Sequence, residues 1–201
     1  MGECTMGRRT QAERSDATTS QLVSAAQELF GRNGYAATSI DAIAAAAGVT
    51  KGAAYHHFEG KPALFRAAFV REQEETAAML GRVAMSEADS WVALRRGCRT
   101  FLERCLDPGF RQIVILDGPS VLGWEAVREI EYGHTLRVLL DGMRMAAADG
   151  LLAEGNLPAR AQLVFGALCE GGMLLARSPD PEADLPVLAA EAERLLEALK
   201  P

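Results

Sequence analysis

TSIDAIAAAAGVTKGAAYHHFEGK, residues 38–61, contains two short helical patterns separated by a glycine. Thr38 offers the side-chain oxygen that an N-cap needs, and Asp41 three residues later completes a pair of the capping-box type. Gly48 can adopt the left-handed backbone conformation that ends a helix, and Thr50 can cap a second helix of about two turns. Two short helices around a glycine-containing turn form the helix-turn-helix pattern.

The second of these helices has a surface suited to nucleic acid. Its first turn combines a hydroxyl, a cation and two very small residues, and helix N-termini carry free N–H groups that favour a phosphate. Phosphate contacts position a protein on a duplex, whereas contacts with base edges specify the sequence. A helical hairpin that only packs is an equal alternative from this pattern alone. The predicted DNA-binding residues are Thr38, Ser39, Thr50, Lys51, Gly52, Ala53, Tyr55, His56 and Lys61, with Lys51, Gly52 and Ala53 nearest the bases.

Two overlapping runs carry a resemblance to a known family. GVTKGAAYHHFEGKPALF, residues 48–65, resembles the recognition-helix signature of TetR-family transcriptional regulators. QLVSAAQELFGRNGYAATSIDAIAAAAGV, residues 21–49, resembles the first two helices of that family. The chain departs from the family pattern at Ala54, where a larger apolar residue is usual, and at Gly60, where a Ser or similar N-cap is common. Both departures concern the packing of this small domain.

The resemblance implies an all-α protein with two functional parts. A three-helix helix-turn-helix domain is expected over residues 18–62, and an effector-binding and dimerisation domain over residues 63–201. The implied function is a homodimeric regulator, most often a repressor, that binds a palindromic double-stranded operator and leaves it when a small-molecule effector binds. The implied location is the cytoplasm.

The distribution of charge agrees with a small DNA-binding module on an acidic body. The chain of 201 residues has a formal net charge of −6, which argues against nucleic-acid binding by the whole surface. Residues 1–61 hold six Lys or Arg and six Asp or Glu, so the excess acidity lies in residues 62–201. A neutral module with a few placed cations can still neutralise phosphates.

No motif indicates a metal site, a cofactor or catalysis. The four cysteines, Cys4, Cys98, Cys105 and Cys169, form no CxxC pair, and three histidines give no zinc spacing. Pairing of Cys98 with His134 could be imagined, but nothing orients that histidine, so an enzyme is the least favoured class. A helical protein that only binds or sequesters a small molecule is the other alternative. No apolar run approaches the ~18 residues of a membrane span, and no signal peptide is expected.

Apolar periodicity predicts about nine helices and no strand. The first helix is expected to begin near Thr18, after a flexible arm over residues 1–17. Arg8, Arg9 and Arg14 in this arm either reach a minor groove or belong to a solvated tail. After residue 60, helices are predicted over about 61–83, 89–106, 110–116, 124–149 and 156–176, and a last helix is predicted from Asp184. Residues 117–119 are expected to end the helix over 110–116.

The last two predicted helices are apolar on more than one face, which implies burial on both sides. They are predicted to pair with their symmetry mates, because one helix-turn-helix reads only half of a palindrome. Packing in the core of a monomer would also explain the pattern. The predicted dimer residues are Leu163, Ala167, Leu168, Gly171, Leu174, Leu175, Leu188, Leu195 and Leu196.

Large and polarisable residues are scattered between the fifth and eighth predicted helices. Ligand cavities are mostly apolar with a few placed polar groups, a description that also fits an ordinary core. The predicted ligand-binding residues are Trp91, Cys98, Phe101, Phe110, Asp117, Trp124, Tyr132, His134, Met143, Phe165, Cys169 and Met173.

Overall fold

The computed structural model describes residues 11–201, and every regular element in that range is helical, which confirms the predicted all-α class. Its helices are α1 (Gln11–Ala37), α2 (Ile40–Ala46), α3 (Lys51–His57), α4 (Lys61–Ser86), α5 (Ser90–Arg104), α6 (Pro108–Phe110), α7 (Gly118–Leu122), α8 (Trp124–Gly133), α9 (Thr135–Ala148), α10 (Leu157–Arg177) and α11 (Pro181–Glu197), with a π-helical segment, Arg111–Asp117, between α6 and α7. None of these helices has the length and apolar character that a membrane crossing requires.

Helix α1 starts earlier than the sequence suggested. It begins at Gln11, so residues 11–17, expected to belong to a flexible arm, are helical. Arg8 and Arg9 lie outside the described residues. Gly34, with φ 77° and ψ 166°, breaks the helical geometry near its end. This kink turns the chain toward α2.

The caps of α2 and α3 differ in how well they were predicted. Thr50 caps α3 as expected, because its Oγ1 accepts a hydrogen bond from Ala53 N at 3.1 Å. Ser39, not Thr38, caps α2 by accepting from Ala42 N at 3.1 Å. The expected capping role of Thr38 was therefore wrong by one residue. Between the helices, Gly48 has φ 68°, a conformation that suits glycine.

Helix α4 connects this N-terminal unit to the rest of the protein. It begins at Lys61 with Pro62 in its first turn, as predicted, and continues to Ser86, three residues beyond the expected end. Buried aromatic rings lie along its first half, where Phe65 packs edge-on against Phe30 at a centroid distance of 5.1 Å. The same rigid element thus contacts the core of the helix-turn-helix and the interior of the C-terminal part.

The chain stays helical from Pro108 to Leu122, contrary to the predicted break at residues 117–119. Pro119 is accommodated in the first turn of α7, where a missing N–H costs little. Gly118 is required by packing, since a Cβ there would lie 2.6 Å from Phe69 Cε2. The π-helical segment between α6 and α7 widens the helix by one residue per turn, a geometry that often marks functional regions.

Two other predicted boundaries were wrong. The single helix expected over residues 124–149 is two helices, because the backbone of His134 leaves the helical region with φ −129° and ψ −99°. The last helix is capped by Asp180, which accepts from Ala183 N at 3.1 Å, and not by Asp184. Asn156 caps α10 as expected.

Candidate nucleic-acid interface and ligand cavity

The first turn of α3 lies on the surface. Thr50, Lys51 and Gly52 are exposed, Ala53 is half-buried, and Ala54 is buried with 1% of its surface accessible. Ala54 therefore fixes α3 on the core while the opposite side of the helix faces solvent. The small size of Ala54, which departs from the family pattern, places the helix axis close to its neighbours.

Hydroxyl groups at the two helix N-termini can still bind a phosphate. Ser39 and Thr50 are exposed, and each uses an oxygen lone pair to cap its helix. Each hydroxyl proton stays free to be donated to a phosphate oxygen. Thr38, in contrast, is 3% exposed and donates its proton to Gly34 O at 2.8 Å. Its predicted phosphate contact is therefore withdrawn.

The two predicted lysines are both held by neighbours. Lys51 Nζ lies 2.9 Å from Asp41 Oδ2, and this hydrogen-bonded ion pair raises the pKa of Lys51. Lys61 Nζ lies 4.2 Å from the centroid of the Tyr35 ring and 3.4 Å from Ala36 O. Both ammonium groups are thus held near the helix-turn-helix, and Lys51 keeps two N–H donors beyond the one that Asp41 accepts.

Aromatic side chains complete this surface. Tyr55 is 50% exposed, so its ring and its hydroxyl group are accessible to a partner. His56 is exposed, whereas His57 places its Nδ1 3.1 Å from Thr19 Oγ1 of α1. The contact of His57 with α1 was not foreseen in the sequence, where the two histidines look alike.

Asp117, predicted to bind a ligand, instead joins the π-helical segment to the helix-turn-helix. Its Oδ2 accepts hydrogen bonds from Tyr35 N at 2.7 Å and from Gln112 Nε2 at 3.0 Å. Tyr35 N directly follows the Gly34 kink that leads to α2. The predicted ligand role of Asp117 was therefore wrong, and its carboxylate connects the C-terminal part to the helix-turn-helix.

A second polar junction connects α1, α4 and α5. Glu72 is 3% exposed and accepts from Gln27 Nε2 at 2.7 Å and from Arg104 Nη2 at 2.8 Å. Burial raises the pKa of Glu72, although both of these hydrogen bonds act in the opposite direction. A displacement of α4 relative to α5 would therefore disturb both the buried carboxylate of Glu72 and its hydrogen bond with Gln27 of α1.

An elongated cavity lies between α4, α5, α9 and α10. The space inside it is about 120 Å³, and about 770 Å³ when its open mouth is included. Of the predicted ligand residues, Cys98, Phe101 and Phe165 line it. The lining that the sequence did not reveal is mostly aliphatic or small: Leu80, Ala84, Glu87, Ala88, Ser90, Ala93, Leu94, Gly97, Thr135, Val138, Leu139, Gly142, Met145, Asp149 and Leu168.

The other predicted ligand residues lie elsewhere. Trp91 is buried against α11, where its Nε1 donates to Glu197 Oε1 at 3.0 Å, and Trp124 is 65% exposed. Phe110 packs edge-on against Phe101 at a centroid distance of 6.2 Å, behind the cavity wall. The predicted residues that the cavity lining does not include are Trp91, Phe110, Asp117, Trp124, Tyr132, His134, Met143, Cys169 and Met173.

A buried carboxylate lies beside this region on α8. Glu131 Oε2 is 3.2 Å from Arg128 Nη1, but neither atom has a hydrogen-bond partner among the described residues. Burial raises the pKa of Glu131 from 4.5 to about 7, and the nearby Arg128 only partly offsets this rise. The neutral acid is therefore the form that the fold prefers.

Glu131→Gln is expected to flatten the dependence of stability on pH. Because the folded-state pKa is the higher one, the stabilisation is present at low pH and is lost as pH rises through about 7. The loss between about pH 5 and pH 8 amounts to roughly 3 kcal/mol in the wild type. Thermal unfolding of both proteins, measured between about pH 5 and pH 8, tests this pH dependence of stability. Glu129→Gln, at an exposed position on the same helix, is the control. An equal slope in Glu131→Gln and wild type would contradict the assignment.

The apolar faces of α10 and α11 separate into a buried and an exposed set. Leu168, Gly171, Leu175 and Leu196 are buried inside the protomer, so their predicted place in a dimer interface was wrong. Leu163 and Leu174 are 76% and 49% exposed, and the exposed Ala167 lies between them on the same face of α10. On α11, Leu195 is 53% exposed, Leu188 is half-buried, and Val187, which was not predicted, is 61% exposed.

Comparisons with known proteins agree with this architecture. The family model described as bacterial regulatory proteins, tetR family, matches residues 22–68, and that of the Tetracyclin repressor-like C-terminal domain matches residues 91–199. The Transposon Tn10 TetC protein of Escherichia coli is 30% identical over 152 residues, which cover 74% of this chain and 73% of that protein. The transcriptional regulator TtgR of Pseudomonas putida is 40% identical over 82 residues, which cover 41% of this chain and 38% of that one.

A solved structure extends the similarity over nearly the whole length. The crystal structure of a TetR-family transcriptional regulator from Pectobacterium atrosepticum matches with a TM-score of 0.82 and 31% identity, covering 96% of this chain and 98% of that one. Both parts of the chain, the helix-turn-helix and the helical C-terminal part, therefore have counterparts in one family. The chain belongs to the TetR family of DNA-binding transcriptional regulators.

Proposed function

We propose that this regulator is a homodimeric repressor that binds a palindromic operator through α3 and is released by a small molecule in the α4/α5/α9/α10 cavity. Its site of action is then the bacterial cytoplasm, where the DNA lies. The observation that carries the proposal is the exposed face of α3. Its exposed N-terminal turn, with Thr50, Lys51 and Gly52, and the outward Tyr55 leave a contact surface that the protomer itself does not cover.

The proposed operator geometry follows from two-fold symmetry. A single α3 is long enough to read only a few base pairs, so specific recognition calls for two copies. A dimer built on the exposed α10 and α11 faces places the two copies in equivalent positions. Half-sites about one helical turn of DNA apart, roughly 34–36 Å, are expected.

The proposed ligand response depends on α4. This helix starts beside the DNA-binding helices at Lys61, and its far end lines the cavity with Leu80 and Ala84. A ligand releases DNA only if it binds the released arrangement of α4 more tightly than the DNA-bound one. The junctions at Asp117 and Glu72 are the contacts through which a displaced α4 or π-helical segment would act on α1.

Selection of bound fragments from the source genome by the purified protein tests the function. We expect enrichment of a short palindromic sequence upstream of a gene, and loss of that enrichment when an effector is added. A protein that only sequesters a small molecule would enrich no sequence, and this result would overturn the proposal. Footprinting of the enriched fragment then gives the spacing of the half-sites.

Lys61→Ala is expected to weaken binding to all DNA sequences by a similar factor. Loss of one phosphate contact per protomer lowers the salt slope of log K by about one unit per half-site. Titrations of operator and random duplex at several salt concentrations measure it. Lys200→Ala, which removes the same charge at the C-terminal end, is the matched control. An unchanged slope in Lys61→Ala would show that this ammonium makes no phosphate contact.

A further inference from the structure

We infer that the effector is a slender lipophile whose polar end donates hydrogen bonds, such as an amine or a hydroxyl, and that carboxylates and phosphates are excluded. This inference rests on the proposed effector role of the cavity. It specifies the chemical class of ligand from the shape of the cavity and from the polarity of its walls.

The cavity is long because it follows one face of α9. Its lining on this helix runs from Thr135 through Leu139, Gly142 and Met145 to Asp149, at intervals of three or four residues. At a rise of 1.5 Å per residue this stretch spans about 20 Å. A compact single ring would leave most of this length empty.

The opposite wall makes the cavity narrow. Helix α5 lines it from Ser90 to Phe101, and Ser90 Oγ donates to Asp149 Oδ2 at 2.5 Å, so the start of α5 and the residue after α9 are in direct contact. Midway, a Cβ on Gly142 would lie 3.4 Å from Leu94 Cδ1. An extended chain or a flat rod passes such a constriction, whereas a branched or globular molecule does not.

The polar groups of the lining present acceptors. Thr135 Oγ1 already donates its proton to Gln73 Oε1 at 2.6 Å, and the Ser90 proton is used by Asp149. Both oxygens keep lone pairs that can accept from a ligand. The carboxylates of Glu87 and Asp149 add further acceptors. A ligand that forms hydrogen bonds with these groups must therefore supply the donor N–H or O–H groups.

Among the residues that the structure describes, no cationic side chain lines the cavity. Two arginines contact residues of the lining from outside it: Arg96 is paired with Glu87, and Arg128, which is paired with Glu131, lies 5.6 Å from the centroid of the Phe165 ring. Burial raises the pKa of the Cys98 thiol to about 12, so this group stays a neutral, weak donor. An anionic ligand would lose its hydration without gaining a positive partner, which is strongly unfavourable.

Calorimetry with three ligands of equal chain length tests the inference: decylamine, decan-1-ol and decanoate, each below its micelle concentration. The amine and the alcohol are expected to bind at least about tenfold more tightly than decanoate. A larger gain for the amine would identify the Asp149 charge as the recognised group, and equal binding would identify hydrogen-bond donation. Decanoate binding as tight as that of the alcohol, no binding by any of the three, or tighter binding of phenol than of decan-1-ol would overturn the inference.

Two variant pairs locate the binding. A side chain added at Gly97 enters open space on the cavity wall, so Gly97→Leu should abolish decylamine binding. Gly81→Leu is the control, because Gly81 also has open space around it but does not line the cavity. Asp149→Asn should reduce the preference for amine over alcohol, with Asp141→Asn on α9 as its control. Unchanged binding in Gly97→Leu, with helical content equal to wild type, would place the ligand elsewhere.

DNA binding is measured separately on the unliganded protein. If the protein binds its operator but none of the decyl compounds, the inferred ligand class is wrong and the proposed function as a DNA-binding regulator is retained. If it binds decylamine but no DNA, the proposed function fails while the ligand class is retained.

Discussion

Leu174→Glu is expected to convert the proposed dimer into monomers and to lower operator affinity by at least about a hundredfold, because two linked half-sites bind far more tightly than one. Leu174 is 49% exposed in the protomer, on the same face as Leu163 and Ala167. A two-fold interface brings both copies of a residue into the same seam, so each dimer would bury two added carboxylates. The protomer itself should keep its fold, since the substituted side chain can stay in water.

Sedimentation and operator titration on the same sample measure both effects. Met85→Glu, at an 80% exposed apolar position at the end of α4, is the matched control and should remain dimeric. Charged substitutions at Leu168 or Gly171, which the sequence pattern alone would suggest, are unsuitable because both residues are buried. A Leu174→Glu protein that remains a dimer would move the interface to another face.

Tyr55→Ala is expected to abolish measurable operator binding while stability and dimerisation stay at wild-type levels. A hydrogen bond to a charged phosphate contributes about 1.5–3 kcal/mol, and the symmetric dimer loses it twice, which corresponds to more than a hundredfold in affinity. Stability should change by less than about 0.5 kcal/mol because the ring is 50% exposed.

Operator titration and thermal unfolding of the same variant separate contact from structure. Tyr55→Phe isolates the hydroxyl from the ring, and Tyr132→Ala, at a 42% exposed tyrosine on α8, is the matched control. If Tyr55→Ala also lowers the unfolding temperature by several degrees, its ring supports the fold of α3. A protein with full affinity would remove Tyr55 from the DNA contact.

The local signals in the sequence were sufficient for the DNA-binding helices. Thr50, Gly48 and the small residues after them specify α3 through capping and backbone geometry, which act within a few residues. The choice between Thr38 and Ser39 was missed because both can cap a helix. Only the folded chain shows that Gly34 O and Leu29 O take up the Thr38 hydroxyl.

The cavity was harder to predict because its walls have no distinctive composition. Leu139, Gly142 and Ala93 look like ordinary helix residues, and they line a cavity only because α5 and α9 pack imperfectly along their length. Aromatic residues were favoured in the prediction, but rings such as Phe110 fill the core completely and leave no space. Cavities are determined by what packing leaves out, which depends on contacts far apart in sequence.

The dimer face illustrates the same limit. Helix α10 is apolar around most of its surface, so periodicity alone does not distinguish the side that meets its own protomer from the side that meets a partner. Leu168 and Leu174 are equivalent in chemistry, yet they are 4% and 49% exposed. The difference arises from where α5 and α9 lie against α10.

The π-helical segment Arg111–Asp117 makes the number of residues in this stretch as important as their identity. A π turn holds one residue more than an α turn, and the hydrogen bond from Tyr35 N to Asp117 exists in that longer register. A tightening to ordinary α geometry would rotate Asp117 away from Tyr35, and it would also turn the buried Ile113, Val114 and Ile115, so the core around them would have to repack. Deletion or insertion of one residue in this segment would therefore be expected to remove the hydrogen bond between Asp117 and Tyr35, even if every other side chain were kept.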